Sequence, residues 1–311
     1  MTRSGKISIG TRSSPLALYQ AGHIKEAIER LRPDLEVRLV RIKTTGDKIT
    51  DVPLAKVGGK GLFVKEIEEA LLDGRIDLAV HSMKDVPALL PSGLHLAAIP
   101  EREDPRDALV SRNGVRFADL PPGSVVGTSS LRRQSQLSHL RSDLKIEPLR
   151  GNLDTRLRKL DQGIFAAIIL AAAGLRRLGM TDRITECLDP TVSLPAIGQG
   201  ALGLECRRED GPVNELLAPL DHPETHWCVK AERAFLTRLE GGCQVPIAGH
   251  ARLDNGRLTL EGLVASVAGD RLVRDRASAP VSEAETLGVG LAETLLSRGA
   301  DRILKEIYQN P

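Results

Sequence analysis

The sequence predicts an α/β protein with two similar lobes and a smaller third domain of the α+β class. Two observations predict the lobes. A junction that reads strand, Gly-Thr, Ser-Ser, helix occurs twice, and so does a helix that passes through a glycine turn into an apolar strand. A third observation predicts the last domain, because a long helix is followed by alternating strands joined at Asn255-Gly256, a strong hairpin signal. A length of 311 residues allows two or three domains.

The first lobe opens with a short strand at residues 7–10 and a helix whose apolar residues recur at helical spacing over residues 16–31. Ser14 is a natural N-cap for this helix, and Pro15 occupies its first position. Residues 44–62 are rich in glycine and lysine and lack apolar periodicity. Such a composition is typical of a mobile loop or lid, although a plain solvated loop is at least as compatible with it.

The second lobe repeats the plan of the first. Residues 125–130 form a strand and a Gly-Thr-Ser-Ser turn that lead into a helix over residues 131–140. The helix, glycine turn and apolar strand of residues 64–80 recur over residues 153–170. Chance similarity of short βα turns is the alternative, and two repeats in the same order favour a duplicated βαβ framework.

The C-terminal part departs from this pattern. Prolines and glycines in residues 188–203 predict segments that cross between the lobes, and a helix over residues 223–240 should end on two glycines before Cys243. We place the first lobe at residues 1–100 and 198–218, the second at 101–197, and the C-terminal domain at 219–311.

Composition argues against several classes of protein. Aromatic residues make up 2% of the chain, which disfavours base stacking on single-stranded nucleic acid. The chain begins without an apolar signal-peptide core, and its longest apolar stretch has about a dozen residues, short of the ~20 that span a bilayer. The four cysteines show no C-x-x-C pair and no zinc spacing, so no metal site is predicted. We expect a cytoplasmic protein with reduced thiols and no nucleic-acid or membrane partner.

Basic side chains gather where helices of the second lobe begin. Arg132 and Arg133 lie in the first turn of their helix, where positive charge opposes the helix dipole, so their position favours binding of a negative group over a structural role. Arg150 and Arg156 are expected at the same edge of the sheet, which is the usual ligand position in open α/β sheets. Because arginine binds carboxylates and phosphates bidentately, we predict an anionic small-molecule ligand.

A second candidate site follows the apolar strand of the first lobe, in the run His81-Ser82-Met83-Lys84-Asp85. A carboxylate beside an ammonium at a strand end suits charge stabilisation or proton transfer, although composition favours an ordinary surface Lys-Asp pair. His81 could act as a base, but a single histidine beside a strand is more often a structural hydrogen-bonding residue. Cys243, on a glycine-flanked turn, suits a nucleophile or an attachment point. The residues alone indicate an anion-binding two-lobed protein with an unusual cysteine.

Seven segments, in order along the chain, resemble the porphobilinogen deaminase family, also called hydroxymethylbilane synthase. They are IGTRSSPLAL at 9–18, GGKGLFVKEIE at 58–68, AVHSMKDVP at 79–87, GTSSLRRQ at 127–134, LRGNLDTRL at 149–157, LPAIGQGALGLEC at 194–206 and LEGGCQVPIA at 239–248. The resemblance runs nearly from end to end, and seven ordered motifs are far more specific than any one of them.

The resemblance implies two lobes like those of periplasmic binding proteins, with mixed sheets, and a smaller C-terminal domain. It implies a transferase that joins four porphobilinogen units head to tail, releasing ammonia at each step and adding water at the end, in porphyrin biosynthesis. It also implies a monomer with a dipyrromethane cofactor, bound by a thioether to Cys243, on whose free end the chain grows.

The resemblance also implies roles for individual residues. Asp85 matches the family's catalytic aspartate, which would face pyrrole N–H groups and stabilise the cationic azafulvene formed when the amine leaves. The positions that match the family's cofactor- and substrate-binding residues are Arg12, Ser14, Ser82, Lys84, Thr128, Ser130, Arg132, Arg133, Arg150, Arg156 and Arg177. The alternative is a non-catalytic two-lobed protein that binds or senses a small anion, which rests on fold-level analogy and leaves the cysteine turn unexplained.

Overall fold

The structure is a computed structural model that describes residues 5–48, 61–241 and 245–309. These residues divide into two compact units. The first contains residues 5–48, 61–102 and 201–226, and the second contains residues 103–200 and the described residues from 227 onward. No helix in the described ranges is long and apolar enough to span a bilayer.

The strands of the described residues, in chain order, are β1 (Lys6–Thr11), β2 (Glu36–Arg41), β3 (Leu78–Ser82), β4 (Leu94–Ala98), β5 (Asp107–Ser111), β6 (Val125–Gly127), β7 (Lys145–Glu147), β8 (Ala167–Ala171), β9 (Glu186–Cys187), β10 (Leu202–Arg207), β11 (Ile247–Asp254), β12 (Arg257–Ala265) and β13 (Leu272–Pro280). The α-helices of the same ranges are α1 (Pro15–Leu31), α2 (Thr45–Lys48), α3 (Lys65–Leu72), α4 (Leu131–Leu140), α5 (Leu153–Asp161), α6 (Ala172–Arg177), α7 (Gly211–Leu217), α8 (Pro223–Arg238), α9 (Ala284–Leu295) and α10 (Asp301–Gln309).

The first unit is built on a five-stranded mixed sheet in the order β2-β1-β3-β10-β4. β1 runs parallel to β2 and β3, and β10 runs antiparallel to β3 and β4. On one face, Ile24 and Ile28 of α1 pack with Ile9 of the sheet. On the other face, Ile67 and Leu71 of α3 belong to a second apolar cluster. Because helices cover both faces, the carboxyl edge of the sheet is the place left for polar chemistry.

The second unit contains a five-stranded mixed sheet in the order β7-β6-β8-β5-β9. β6 runs parallel to β7 and β8, and β5 runs antiparallel to β8 and β9. Position by position, the strand directions match those of the first sheet. The predicted duplication is therefore confirmed.

The repeated junction depends on glycine at one position. A Cβ atom on Gly10 would lie 2.3 Å from Cδ1 of Ile76, and a Cβ atom on Gly127 would lie 2.9 Å from Cδ1 of Phe165. Ile76 and Phe165 each lie two residues before a parallel strand begins, β3 in the first repeat and β8 in the second. Glycine is thus needed in the Gly-Thr motif of both lobes for the same reason, because any side chain at this position would clash with the bulky residue before the next parallel strand.

The C-terminal part of the second unit holds the antiparallel sheet β11-β12-β13. Asn255 and Gly256 have φ angles of 50° and 74° at the β11–β12 turn, and positive φ at both central residues is what a type I′ hairpin requires. Phe235 of α8 is fully buried over Gly249 and Gly262, where an added Cβ atom would lie 3.4 Å and 2.6 Å from its ring. The predicted fold class is confirmed, with two α/β lobes on mixed sheets and a smaller α+β domain.

The helix before the cysteine turn ends differently from the prediction. α8 ends at Arg238, and Glu240 rather than a glycine adopts the left-handed conformation, with φ 53°. The N–H of Gly241 donates to the Leu236 carbonyl oxygen at 3.1 Å, which closes a Schellman-type cap. Gly241 is needed for a steric reason and not for its backbone conformation, because a Cβ atom there would lie 2.5 Å from Cδ1 of Ile247. The predicted two-glycine helix end is therefore wrong in its conformational detail.

Candidate active site

The parallel strands of the first sheet bring two predicted segments to one edge. β1 ends at Thr11 and β3 ends at Ser82, and the two strands run in the same direction. Their carboxyl ends therefore place Arg12, Ser14 and residues 82–85 along the same edge of the sheet.

Asp85 lies at the end of a short 3-10 turn, Met83–Asp85, that directly follows β3. The Met83 N–H donates to the Ala201 carbonyl oxygen at 3.0 Å. The Met83 side chain is buried beside Gly203, where an added Cβ atom would lie 2.3 Å from its sulfur. The backbone thus fixes the turn to the residue just before β10, and the side chain packs on β10 itself. The turn holds Asp85 half-buried while Lys84 is exposed.

Two serines at this edge have defined partners. The Ser82 hydroxyl oxygen lies 3.0 Å from the side-chain nitrogen of Gln20 on α1. Ser14 caps α1, with its Oγ accepting from the Ala17 N–H at 3.3 Å, so the predicted N-cap is confirmed. Because this bond uses a lone pair, the Ser14 hydroxyl can still donate its proton to an anion.

Arg12 contacts a carboxylate of its own unit. Its Nε and Nη2 atoms donate to Oδ1 of Asp47, and its guanidinium carbon lies 4.2 Å from the centroid of the Phe63 ring. Oδ2 of Asp47 accepts from the Thr44 hydroxyl at 2.8 Å. Burial would raise the pKa of Asp47, but the hydrogen bonds and charge of Arg12, with Thr44, outweigh burial and lower it. An anionic ligand that reaches Arg12 therefore meets a guanidinium already shared with Asp47.

The second sheet presents its predicted residues at the equivalent edge. β6, β7 and β8 run parallel, and Thr128, Ser130 and Arg150 follow the ends of β6 and β7. Oγ1 of Thr128 accepts from the Ser130 N–H at 3.2 Å. Ser130 directly precedes α4, so hydroxyl groups and backbone N–H groups meet at the positive end of that helix.

Two further arginines of the second unit are oriented by backbone carbonyl groups. Nε of Arg156 donates to the Gly151 carbonyl oxygen at 2.8 Å. Nη2 of Arg177 donates to the Gly200 carbonyl oxygen at 2.7 Å. Each guanidinium group is thus held by a glycine-containing segment of the same unit.

Arg132 and Arg133 are buried and share the carboxylate of Asp107. Their exposed fractions are 5% and 6%, and that of Asp107 is 0%. Nη1 of Arg132 donates to Oδ2 of Asp107 at 2.8 Å, and Nη2 of Arg133 donates to Oδ1 at 2.7 Å. Ser193 Oγ and Gln199 Nε2 donate to the same carboxylate at 2.7 Å and 3.0 Å. The negative group that these arginines contact is therefore a carboxylate of the protein itself.

This cluster pairs two arginines with one aspartate. Burial alone would raise the pKa of Asp107, but the charges and hydrogen bonds of Arg132 and Arg133 hold it far below its ordinary value. Burial lowers the pKa of the Arg133 guanidinium. The arginines thus have a structural role, which their position against the helix dipole did not suggest. Their binding of an external carboxylate stays a prediction, and the excess positive charge beside Ser130 suits it.

Asp107 was not predicted as a functional residue from the sequence. The residue begins β5, and the next three residues, Ala108, Leu109 and Val110, are all buried. A carboxylate at the head of an apolar strand must find a cationic or hydrogen-bonding partner when that strand is buried. An aspartate directly before a buried apolar strand therefore predicts a cationic partner elsewhere in the chain. The two arginines in the first turn of α4 are that partner.

Replacing Asp107 by alanine is expected to destabilise the protein by about 3–5 kcal/mol, because two buried guanidinium groups lose their carboxylate. Chemical denaturation at pH 7 measures the change, and Asp119→Ala, an exposed aspartate of the same unit, should cost less than about 0.5 kcal/mol. Since the pKa of Asp107 is lowered in the fold, its contribution is present at neutral pH and is lost as the pH falls below about 4. Equal stability of Asp107→Ala and wild type at pH 7 would contradict this account.

His81 is a buried hydrogen-bonding residue. Its Nε2 atom lies 2.9 Å from Oε2 of Glu205, and both side chains are buried. This contact favours the structural interpretation of His81 over its use as a base toward a ligand.

Two predicted features lie wholly or partly outside the described residues. Cys243 belongs to residues 242–244, and the predicted loop 44–62 includes residues 49–60. The described part of that loop contains the short helix α2. In the part of the chain that the structure describes, no group of three or more His, Cys, Asp or Glu side chains could hold a metal ion.

Two family models match the chain. The one described as porphobilinogen deaminase, dipyromethane cofactor binding domain, matches residues 7–215, and the one described as porphobilinogen deaminase, C-terminal domain, matches residues 226–297. A porphobilinogen deaminase from Syntrophobacter fumaroxidans is 61% identical over 303 residues, which cover 97% of this chain and 98% of the relative. Another from Geobacter sulfurreducens is 59% identical over 304 residues, covering 98% of this chain and 95% of the relative.

Solved structures of similar fold have low sequence identity. The periplasmic aliphatic sulphonate binding protein from Escherichia coli is 16% identical with a TM-score of 0.41, covering 76% of this chain and 71% of its own. A TRAP periplasmic solute binding protein from Desulfovibrio salexigens is 12% identical with a TM-score of 0.44, covering 72% of this chain and 75% of its own. At these scores the likeness adds nothing to the sheet topology described above.

Proposed function

The chain belongs to the porphobilinogen deaminase family, and on this basis we propose that it joins four porphobilinogen units head to tail and releases hydroxymethylbilane in tetrapyrrole biosynthesis. Each unit loses ammonia as it is added, and water releases the finished chain. Family models match both the cofactor-binding part and the C-terminal part, and curated relatives at 59–61% identity span nearly the full length.

We assign Asp85 the central role in each condensation. A porphobilinogen unit that loses its amine becomes a cationic azafulvene, and a fixed carboxylate near the pyrrole N–H stabilises that charge as it develops. The observation that carries this assignment is the turn Met83–Asp85, which β10 fixes at the edge that also holds Arg12 and Ser14. A carboxylate fixed in this way does not have to reorient at each step.

We assign Cys243 as the residue that carries the dipyrromethane cofactor, through a thioether. One matching family model is named for dipyrromethane binding, and Cys243 lies in the segment LEGGCQVPIA on which the resemblance rests. When bound, the cofactor supplies the free pyrrole position to which the first substrate unit is joined. Cys243 itself then serves as an anchor, and the bond-making chemistry belongs to Asp85.

We assign the basic and hydroxyl-bearing side chains to recognition of carboxylates. Each pyrrole carries an acetate and a propionate, so the growing chain accumulates negative charge that the protein must neutralise. Guanidinium, ammonium and hydroxyl groups are the donors that suit such a polycarboxylate, and the residues with this role are Arg12, Ser14, Ser82, Lys84, Thr128, Ser130, Arg132, Arg133, Arg150, Arg156 and Arg177. The excess positive charge of the Asp107 cluster at the start of α4 supports this assignment.

Incubation of the purified protein with porphobilinogen tests the proposed function. We expect porphobilinogen to disappear while ammonia is released in equal amount, together with a linear tetrapyrrole that absorbs as porphyrin after acid cyclisation and oxidation. Binding of porphobilinogen without release of ammonia would contradict the transferase and would support the anion-binding alternative.

Several predictions about the whole protein stay predictions. They are the monomeric state, the cytoplasmic location, the lack of nucleic-acid or membrane partners, and the domain boundaries 1–100 with 198–218, 101–197 and 219–311.

A further inference from the structure

A buried group of three titratable side chains lies in the first unit, outside the residues assigned above. His81 lies on β3, Glu205 on β10 and Glu68 on α3, with exposed fractions of 4%, 0% and 7%. Nε2 of His81 lies 2.9 Å from Oε2 of Glu205. The Oε1 atoms of Glu205 and Glu68 are buried and have no hydrogen-bond partner among the described residues.

The strand register places this group beside the Asp85 turn. In the β3–β10 pair, His81 lies opposite Gly203 and Ala79 lies opposite Glu205, so His81 and Glu205 share one face of the sheet. Ala79 packs with the apolar residues of α3 on that face. The buried side chain of Met83 fills the space over Gly203. The side chain that anchors the turn thus lies on the same face as the buried group.

Ionisation of Glu68 is unfavourable in this buried site. Loss of water disfavours its carboxylate form, and the nearby carboxyl group of Glu205 disfavours it further. Burial, with the charge of Glu205, raises the pKa of Glu68 to about 7, although His81 opposes the rise. Glu68 therefore changes its charge near neutral pH.

The other charged groups around α3 do not neutralise Glu68. Glu69, on the same helix, is exposed and adds negative charge. Arg207, on β10, is held by Asp210 at 2.7 Å and lies 3.7 Å from Asp77. On this side of the sheet β4 contributes Leu94 and Leu96, and β1 contributes Gly10 beside α3. The charged residue that β1 adds to this side is Lys6, at the start of the strand, and its exposed ammonium pairs with Glu36 at 3.4 Å.

We propose that Glu68, His81 and Glu205 form a proton-sharing group that positions the Asp85 turn, with Glu68 as the member that gains and loses the proton. A protonated Glu68 has an O–H group to donate. Oε1 of Glu205 is a buried acceptor that has no other hydrogen-bond partner among the described residues. Once Glu68 is ionised, two carboxylates repel each other on the face that supports Met83, and the turn is held less firmly. All three are positioning residues, and the consequence for turnover rests on the function proposed above.

Glu68→Gln in the full-length, cofactor-loaded protein tests the proposal, because glutamine keeps the size of glutamate and cannot ionise. We expect kcat of the wild type to fall as the pH rises through about 7, and this part of the fall to be absent in Glu68→Gln. KM for porphobilinogen should change by less than about twofold, since the group does not touch substrate. Glu26→Gln, at an exposed glutamate on α1 of the same unit, is the matched control and should keep the wild-type profile. Identical kcat profiles for Glu68→Gln and wild type would overturn the proposal.

Thermal unfolding and infrared spectroscopy test the proton directly and use no substrate. Because the pKa of Glu68 is raised in the fold from 4.5 to about 7, the wild type should lose Tm relative to Glu68→Gln as the pH rises across that interval. Parallel Tm curves would argue against the proposal. Should Glu68→Gln not fold, infrared difference spectra of the wild type decide the question, since a protonated buried carboxyl band must vanish between about pH 6 and about pH 8. Thermal unfolding and infrared spectra test the proton-sharing proposal even if porphobilinogen is not consumed. Consumption of porphobilinogen tests the proposed function separately.

Discussion

Asp85→Asn is expected to lower kcat for porphobilinogen by about 10²- to 10⁴-fold while leaving substrate binding in place. The amide keeps the shape of the side chain and its place on the Met83–Asp85 turn, but it carries no charge to stabilise a cationic pyrrole. Ammonia release gives kcat, and equilibrium binding of porphobilinogen to the variant shows whether the site is intact.

A second aspartate of the same unit provides the control for this variant. Asp73 is exposed and pairs at the surface with Arg75, so Asp73→Asn should keep the wild-type kcat. An Asp85→Asn protein that turns over within about twofold of wild type would refute the role assigned to Asp85.

Cys243→Ala is expected to lose turnover completely, because the cofactor then has no point of attachment and the growing chain has no anchor. Its intact mass should equal that of the polypeptide. Cys187→Ala is the matched control, since Cys187 on β9 is a free, half-buried thiol outside the proposed site, and this variant should keep both the bound dipyrrole and the activity. Sustained turnover by Cys243→Ala would show that the chain is not built on that thiol.

The duplicated lobes could be predicted because their repeated elements are local. Gly10 and Gly127 each meet a bulky side chain, Ile76 or Phe165, that precedes the next parallel strand, so the same short pattern is needed twice. The hairpin at Asn255-Gly256 was equally accessible, since positive φ at both positions restricts the residue types there.

The pairing of distant strands could not be predicted from local patterns. β10 lies between β3 and β4 in the first sheet although more than a hundred residues separate it from either strand. The exact strand ends could not be predicted either. In the predicted helix, glycine turn and strand of residues 153–170, the strand begins only at Ala167, because Ile164 is 53% exposed and belongs to the turn before β8. Periodicity reports which residues are apolar, whereas strand pairing depends on contacts far along the chain.

In the candidate site, too, features set by local sequence could be predicted and features set by distant contacts could not. Asp85, Arg12 and Ser14 follow the ends of parallel strands, a position that sequence order reveals, and the structure places them at one sheet edge. Asp107 and Glu205 escaped notice because their partners are remote, with Arg132 lying 25 residues from Asp107 and His81 lying 124 residues from Glu205. A buried carboxylate is recognised from its partners, and those partners are set by the fold.

The intact mass of the wild-type protein, before and after a limited amount of porphobilinogen, tests the central claim most directly. We expect a polypeptide carrying one dipyrrole before addition. After addition we expect a series of heavier species, each step equal to one porphobilinogen less one ammonia, with no such species in Cys243→Ala. An active wild type with the mass of the bare polypeptide, or the same series on Cys243→Ala, would contradict the account.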